Sequence, residues 1–408
     1  MSPFIRPLLA GIIFVACMPA HAQNGVELAS TDGFWQINLR PSAELIGWSS
    51  DVPAPALNFY DDDVFLDPRF KLSLDAAAGS HWFLHLNSQL DRGFDPGSRA
   101  DGDFRVDEIF LRFRPTDDQR LNFQIGKFPT VFGSWIAQHD FFDDPFLLPP
   151  LPYSQIVGVN VRTPAATSPA AMTARSAGKA PSLAALSKEN WASLIWGPSY
   201  ATGASIFGST EHLDYAFEIK NAALSSHPDA WFPAGDDFEN PTFTGRIGYR
   251  PDAAWAFGLS ASRGPYFTDD AANLLPQGKD RGDFQQSTVG LDARWASGSF
   301  ILSGEVIGSE FETPSSGDLR TLAWFLQARW KVAPGIWLAG RFGQMVANQA
   351  DGLNGRATSW SPDVWRAELG AGWRITNRML LKVDYSFTHS DNHQGGEHLF
   401  GLGFGIRL

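Results

Sequence analysis

The C-terminal stretch Glu397-His398-Leu399-Phe400-Gly401-Leu402-Gly403-Phe404-Gly405-Ile406-Arg407-Leu408 decides the fold. Successive side chains of an extended strand point to opposite faces, so His398, Phe400, Leu402, Phe404, Ile406 and Leu408 share one side. Leu399, Gly401, Gly403, Gly405 and Arg407 share the other. One side is an apolar row, the other small or charged. The same division separates Met379, Leu381, Val383, Tyr385 and Phe387 from Lys382, Asp384, Ser386 and Thr388. It recurs in Trp365, Ala367, Leu369, Ala371 and Trp373 against Arg366, Glu368, Gly370, Gly372 and Arg374. A third case is Leu322, Trp324, Leu326, Ala328 and Trp330 against Ala323, Phe325, Gln327, Arg329 and Lys331. Helical periodicity of useful length is hard to find after residue 30, while period-two alternation runs from end to end.

A soluble sandwich or lipocalin-like barrel also alternates, with its apolar face turned inward. Two features count against it. The segments run about ten residues, as a tilted strand needs to cross a bilayer, whereas strands of soluble sheets average about five or six. Trp35, Trp48, Trp295, Trp330, Trp337, Trp365 and Trp373 sit near segment ends, where a membrane barrel places interfacial girdles. The expectation is an all-β fold, a transmembrane antiparallel β-barrel.

Composition agrees. Of 408 residues, 19% are charged and 13% aromatic, too rich in core-forming side chains for a disordered chain. Beyond the first residues, no apolar run reaches the roughly 20 residues of a membrane helix. The net charge is -12, and no block of Lys and Arg stands out, which argues against nucleic acid as a partner. At the N-terminus, Arg6 precedes the apolar run Pro7 to Ala16, and Ala20-His21-Ala22 follows. This reads as a secretory leader of residues 1–22 cleaved before Gln23, leaving a mature barrel of residues 23–408 without cysteine. The competing reading, lipidation of Cys17, rests on Phe14-Val15-Ala16-Cys17, a poor match to the lipidation pattern. Secretion of such a barrel implies the outer membrane of a Gram-negative cell, among lipid and lipopolysaccharide.

The connections set the topology. Short ones, such as Ala78-Gly79-Ser80, Ser297-Gly298 and Thr376-Asn377, alternate with long ones near 49–66, 92–103, 221–240, 264–283, 310–319, 346–363 and 389–396. Outer-membrane barrels have short periplasmic turns and long outer loops. Counting from both ends leaves residues 129–211 to supply an odd number of crossings. If only 200–208 crosses, there are 16 strands; if 154–162 and 191–197 also cross, there are 18. Sixteen is preferred, because the alternative puts the Ala-, Ser-, Thr- and Pro-rich stretch 163–190 on the short-turn side. That stretch is read as a mobile loop, since its composition buries little apolar surface.

Residues 129–199 then form one long loop. Its first part, through Phe132, Trp135, His139, Asp140, Asp143, Asp144 and Tyr153, is rich in Phe, Leu and Pro. Such a segment would leave apolar surface exposed in water. It is expected to fold into the barrel as a constriction, with a loop packed on the rim as the alternative. Here the sequence resembles a family. Ile125-Gly126-Lys127-Phe128-Pro129-Thr130-Val131-Phe132-Gly133 is similar to the Gly-Lys-Phe-x-x-Pro-Phe-Gly signature of the phosphate- and polyphosphate-selective porin (porin O and P) family. Val131 stands where the signature has Pro. The resemblance implies a 16-stranded outer-membrane channel, often a homotrimer, with its third loop folded inward and a lumen lined by Arg and Lys. The acids Asp140, Asp143 and Asp144 do not suggest a phosphate trap, so the resemblance speaks for a porin more than for phosphate.

With the apolar face toward lipid, parity turns Arg112, Arg114, Arg246, Arg250 and Arg294 inward, and Lys127 of the motif is placed with them. Arg329, Lys331, Arg341, Arg366, Arg374 and Lys382 follow by the same parity. Many acids fall instead in expected loops, among them Asp61-Asp62-Asp63, Asp101, Asp236-Asp237 and Asp269-Asp270. These acidic loops are read as a solvated face, with divalent bridges to lipopolysaccharide as the alternative. A narrow pore ringed by Arg favours anions. Equally, Glu108, Glu218, Asp292, Glu305, Glu368 and Asp384 could pair with the arginines and brace the wall. Both readings stay open.

Catalytic signals are weak: there is no Gly-x-Ser-x-Gly elbow, no His-Glu-x-x-His and no Gly-Lys-Ser/Thr loop. His389, Asp391, His393, Glu397 and His398 have metal-ligand residue types, but a polar hairpin tip accounts for them more simply. No metal or cofactor is assigned. The expectation is an outer-membrane porin passing small hydrophilic, preferentially anionic solutes. The alternative class is an outer-membrane barrel enzyme or a sleeve around a partner protein.

Overall fold

The computed structural model describes residues 14–15, 25–51, 64–92, 102–179, 190–228, 238–391 and 396–408. Apart from a two-residue strand at Phe14–Val15, the expected leader lies outside them, as do Asp61 to Asp63, Asp101, Asp236, Asp237 and His393.

Among the described residues, sixteen antiparallel strands close into one barrel. They are β1 (Trp35–Ser50), β2 (Val64–Ala78), β3 (Trp82–Asp91), β4 (Asp103–Phe113), β5 (Asn122–Phe128), β6 (Ala201–Ser209), β7 (Leu213–Lys220) and β8 (Thr242–Tyr249). There follow β9 (Trp255–Pro265), β10 (Gln285–Ser297), β11 (Phe300–Thr313), β12 (Gly317–Ala333), β13 (Ile336–Ala347), β14 (Val364–Arg374), β15 (Met379–Ser390) and β16 (Glu397–Arg407). Each pairs with its neighbours in sequence, and β16 returns to β1 with Gly403 opposite Ile46. β5 and β6 pair across the long excursion, with Gly126 opposite Gly203. Residues 154–162 and 191–197 are not barrel strands: Ile156–Asn160 and Trp191–Ser193 pair with each other in a separate two-stranded sheet.

The alternation read from β16 holds in three dimensions: His398, Phe400 and Leu402 are exposed outward, while Leu399, Gly401 and Gly403 are buried inward. The outer face carries exposed Leu45, Leu66, Ile125, Leu259, Leu291 and Leu369, a band suited to hydrocarbon rather than water. Toward the short turns, Trp35, Trp82, Trp255, Trp330 and Trp373 are also exposed, and Phe300 stacks on Trp330 at 5.6 Å between ring centroids. Trp48 and Trp337 do not join them. Their parity turns them inward, where each is under 4% exposed and packs with the long excursion.

Two further expectations are corrected. The long loop at 310–319 is a tight hairpin, because β11 and β12 run on past the band, held by Arg320 to Glu310 at 2.5 Å and by Thr313 Oγ1 donating to the Gly317 carbonyl at 2.7 Å. In the stretch 163–190, residues 163–179 are folded. The helix α1 (Pro169–Ser176) starts with proline in its first turn, capped by Ser168 accepting from the Ala171 N–H, and it buries Met172 completely. Residues 180–189 lie outside the described residues.

Candidate functional site

The excursion leaves β5 through the glycine-bracketed motif. Gly126 has φ +133, and a Cβ there would collide with the carbonyl of Ile109 on β4, so only glycine fits this approach of two strands. Gly133, at φ +73, lies against the Tyr153 hydroxyl and the Glu305 carboxylate. Lys127 does not face open space. It is 1% exposed and its Nζ donates to the Val106 carbonyl at 2.7 Å. Strict alternation would put it on the outer face with Phe123 and Ile125; the break at Gly126 turns it inward against the backbone of β4 instead.

One carboxylate of the wall then fixes the start of the excursion. Glu305 Oε1 accepts from Ser134 N at 2.8 Å, Ser134 Oγ at 2.9 Å and Trp135 N at 2.7 Å, and its Oε2 accepts from Tyr153 OH at 2.5 Å. Phe132, fully buried, rests over Gly290 beside Ile307. Burial and the neighbouring Glu305 raise the Tyr153 hydroxyl well above its usual pKa, which keeps it a donor.

The wall cations hold the next part. Lys382 Nζ donates to the carbonyls of Asp144 at 2.8 Å and Phe146 at 2.9 Å. Arg341 donates to the Leu148 carbonyl at 2.6 Å while forming a two-pronged pair with Glu368 at 2.6 and 2.7 Å. Arg366 donates to the Pro149 carbonyl and lies 3.3 Å from Glu368; Arg374 reaches the Phe142 carbonyl at 3.0 Å. Asp384 accepts from the Leu147 N–H. Arg341, Arg366 and Lys382 are therefore buried clamps for the excursion's backbone, not cations facing solvent. Sequence could not show this, because the acceptors are main-chain carbonyls.

The remaining inward cations divide by partner. Arg246 pairs with Asp292, and Arg250 lies 3.0 Å from Asp214. The Arg329 guanidinium is 4.4 Å from the Trp337 ring centroid, Lys331 is exposed at the short-turn end, and Arg294 is half-buried. Arg112 differs. It donates to Gln124 Oε1 at 2.9 and 3.2 Å and sits 4.9 to 5.5 Å from the rings of Phe83, Phe110 and Phe207, and no carboxylate among the described residues pairs with it. Arg112, Arg114 and Arg246 line a cavity of about 710 Å³ toward the short turns.

A second cavity, of about 140 Å³, lies between the excursion and the wall of β2 to β4. His139, Asp140 and Asp144 face it with Arg69, Lys71 and Arg105, none of which the parity reading selected. Arg69 and Lys71 were legible, since they alternate inward with Asp67 along β2. Arg105 was not. A bulge places Asn87 opposite Glu108 and the next residue, Ser88, opposite Val106, so parity inverts along β4: Glu108 and Arg112 face inward below it, Arg105 and Asp107 above it. Burial alone would raise Asp140, but the charge of Lys71, 3.5 Å away, with the Phe142 N–H, His139 and Arg407, holds its carboxyl well below the usual range. Asp144 is pushed up by burial, against Arg341 and Lys382, and accepts from Trp135 Nε1 at 2.7 Å. Asp143 remains exposed beside it.

Among the described residues, those with metal-ligand types form no cluster of three or more. His398 faces outward, with Nδ1 2.6 Å from Tyr385 OH, while Glu397 is buried on the inner face.

No family model and no curated protein match the chain. Solved structures do. The outer membrane channel DcaP of Acinetobacter baumannii aligns with a TM-score of 0.57 at 11% identity over 94% of this chain and 100% of its own. OmpF of Salmonella typhi, in complex with daunomycin, gives 0.57 at 12% over 94% and 100%. An anion-selective porin from Comamonas acidovorans gives 0.54 at 11% over 92% and 100%. At such identities the likeness is one of fold: the chain shares the closed antiparallel barrel of these outer-membrane channels.

Proposed function

We propose that the chain is an outer-membrane porin of a Gram-negative cell through which small hydrophilic solutes diffuse passively, with residues 129–153 forming the constriction. The observation that carries this is the combination of an exposed apolar outer band with a polar interior holding cavities beside the excursion. The names of the similar structures, porins and a channel, support it. Leader 1–22, mature barrel 23–408, a lipid and lipopolysaccharide surround and a homotrimer belong to the same proposal, which assigns no catalytic chemistry.

A modest anion preference is part of it. Its support is Arg112, a cation held by an amide and aromatic rings rather than by an acid, with Arg114 beside it. Phosphate selectivity is not, since the cations nearest the excursion are paired or bonded to carbonyls. A unit charge 4 to 8 Å from a permeating ion in water is worth about 0.5–1 kcal/mol, with opposite sign for anion and cation, so Arg112→Gln should lower the anion-to-cation permeability ratio about fivefold or more. Reversal potentials in planar bilayers under a salt gradient measure this. Cation selectivity of the unaltered protein would overturn the anion preference alone; absence of any conductance would overturn the porin.

A further inference from the structure

The cavity between the excursion and β2 to β4 is almost fully charge-compensated. Arg69 meets Asp67 at 2.6 Å, Lys71 meets Glu44 at 3.0 Å, and Arg105 meets Asp107 at 2.6 Å and also Asp91. A net anion or cation entering here would have to compete with ion pairs already made, and a zwitterion would find no separated bare charges to match. A hydroxyl group is different. It donates and accepts at once, so it can join a guanidinium–carboxylate pair without unbalancing it. The lining also offers aromatic surface, from Trp135, Trp196, Tyr200 and Phe141, against which the carbon face of a ring can pack. Trp196 is 2% exposed and gives only part of its ring to the lining, its indole nitrogen being buried away from the cavity. The volume of about 140 Å³ is close to that of cavities of about 150 Å³ that admit a six-membered carbon ring.

We propose that this cavity is a binding subsite for a neutral, polyhydroxylated solute of monosaccharide size, held by hydroxyl hydrogen bonds to the Arg69, Arg105 and Asp140 groups with its carbon face against the aromatic lining. The proposal rests on the porin reading only for its role in transport; binding itself does not require conduction. The experiment therefore has two readouts on the full-length mature protein. Equilibrium binding of radiolabelled D-glucose to detergent-solubilised protein tests the site, and block of open-channel current by D-glucose, gluconate and glucosamine tests its place on the path.

Saturable glucose binding is expected, at least severalfold tighter than gluconate or glucosamine. Arg69→Lys and Asp140→Asn, each checked for folding by heat-dependent gel mobility, should each weaken it about twofold to tenfold, the worth of one hydrogen bond. Conductance without glucose binding, or tighter binding of either charged analogue, overturns the proposal and leaves the porin standing. Glucose binding without conductance upholds the site and overturns the porin. Wild-type affinity in both folded variants also overturns it.

Discussion

Glu305 receives three N–H or O–H groups on one oxygen and the Tyr153 hydroxyl on the other, all from the excursion. Hydrogen bonds to a charged acceptor contribute about 1.5–3 kcal/mol each, so Glu305→Gln, which removes the charge and turns one oxygen into a donor, should free the start of the excursion. The expected outcome is a larger and noisier single-channel current with the barrel still folded; an unchanged current would show that the excursion is held elsewhere. Asp140 behaves in the opposite sense to a typical pH sensor. Its folded-state pKa lies below its unfolded value near 4, so its attraction to Lys71 and Arg407 is present above that value and is lost only as the pH falls through the lower folded one. Current through the channel should therefore show no closure attributable to Asp140 between pH 7 and pH 4, whereas Asp140→Asn should alter current noise already at pH 7. Lipid-bilayer recordings across that range test both.

Among the elements, the sixteen strands were legible because each carries its own signal: an outer row that must be apolar and an inner row that need not be. The excursion was half legible. Its Phe- and Leu-rich composition required burial, and it is buried, but its partners are backbone carbonyls at Asp144, Phe146, Leu148 and Pro149, which leave no trace in residue types. The same blindness misjudged α1, where Ala, Ser and Pro look like a solvated linker until Ser168 caps the helix and Met172 is buried. Arg105 was hidden by one extra residue in β4. Lys382 gives the test at this scale. Lys382→Met keeps the chain length of the side chain and removes both donors, leaving two buried carbonyls to find other partners at about 1–3 kcal/mol each. The excursion's middle should loosen, so limited proteolysis of the folded barrel should cut within residues 140–150, where the unaltered protein resists; equal resistance would mean that Arg341 and Arg366 suffice.

At the scale of the whole molecule, the placement of charge distinguishes a barrel made for lipid from one made for water. The net of -12 says little, because the charges are sorted: ion pairs and clamps inside, exposed pairs such as Arg263 with Glu312 beyond the band, and an outer surface of Leu, Ile, Val and Phe between. In a water-soluble barrel, Leu369 at 67% exposed and Leu291 at 59% exposed would be ordinary surface positions, where replacement by arginine changes stability by about 0.5 kcal/mol or less. In a bilayer the same change near the midplane costs about 2–4 kcal/mol and falls toward zero at the interfaces. Leu369→Arg and Leu291→Arg should therefore lower the folding free energy into lipid vesicles by about 2–4 kcal/mol, measured by denaturant titration in the presence of bilayer. Val332→Arg, at the short-turn end of β12 and 39% exposed, should change it by about 1 kcal/mol or less. A depth-independent response at the three positions would remove the bilayer from the account, since only a slab of hydrocarbon distinguishes the middle of this surface from its edge.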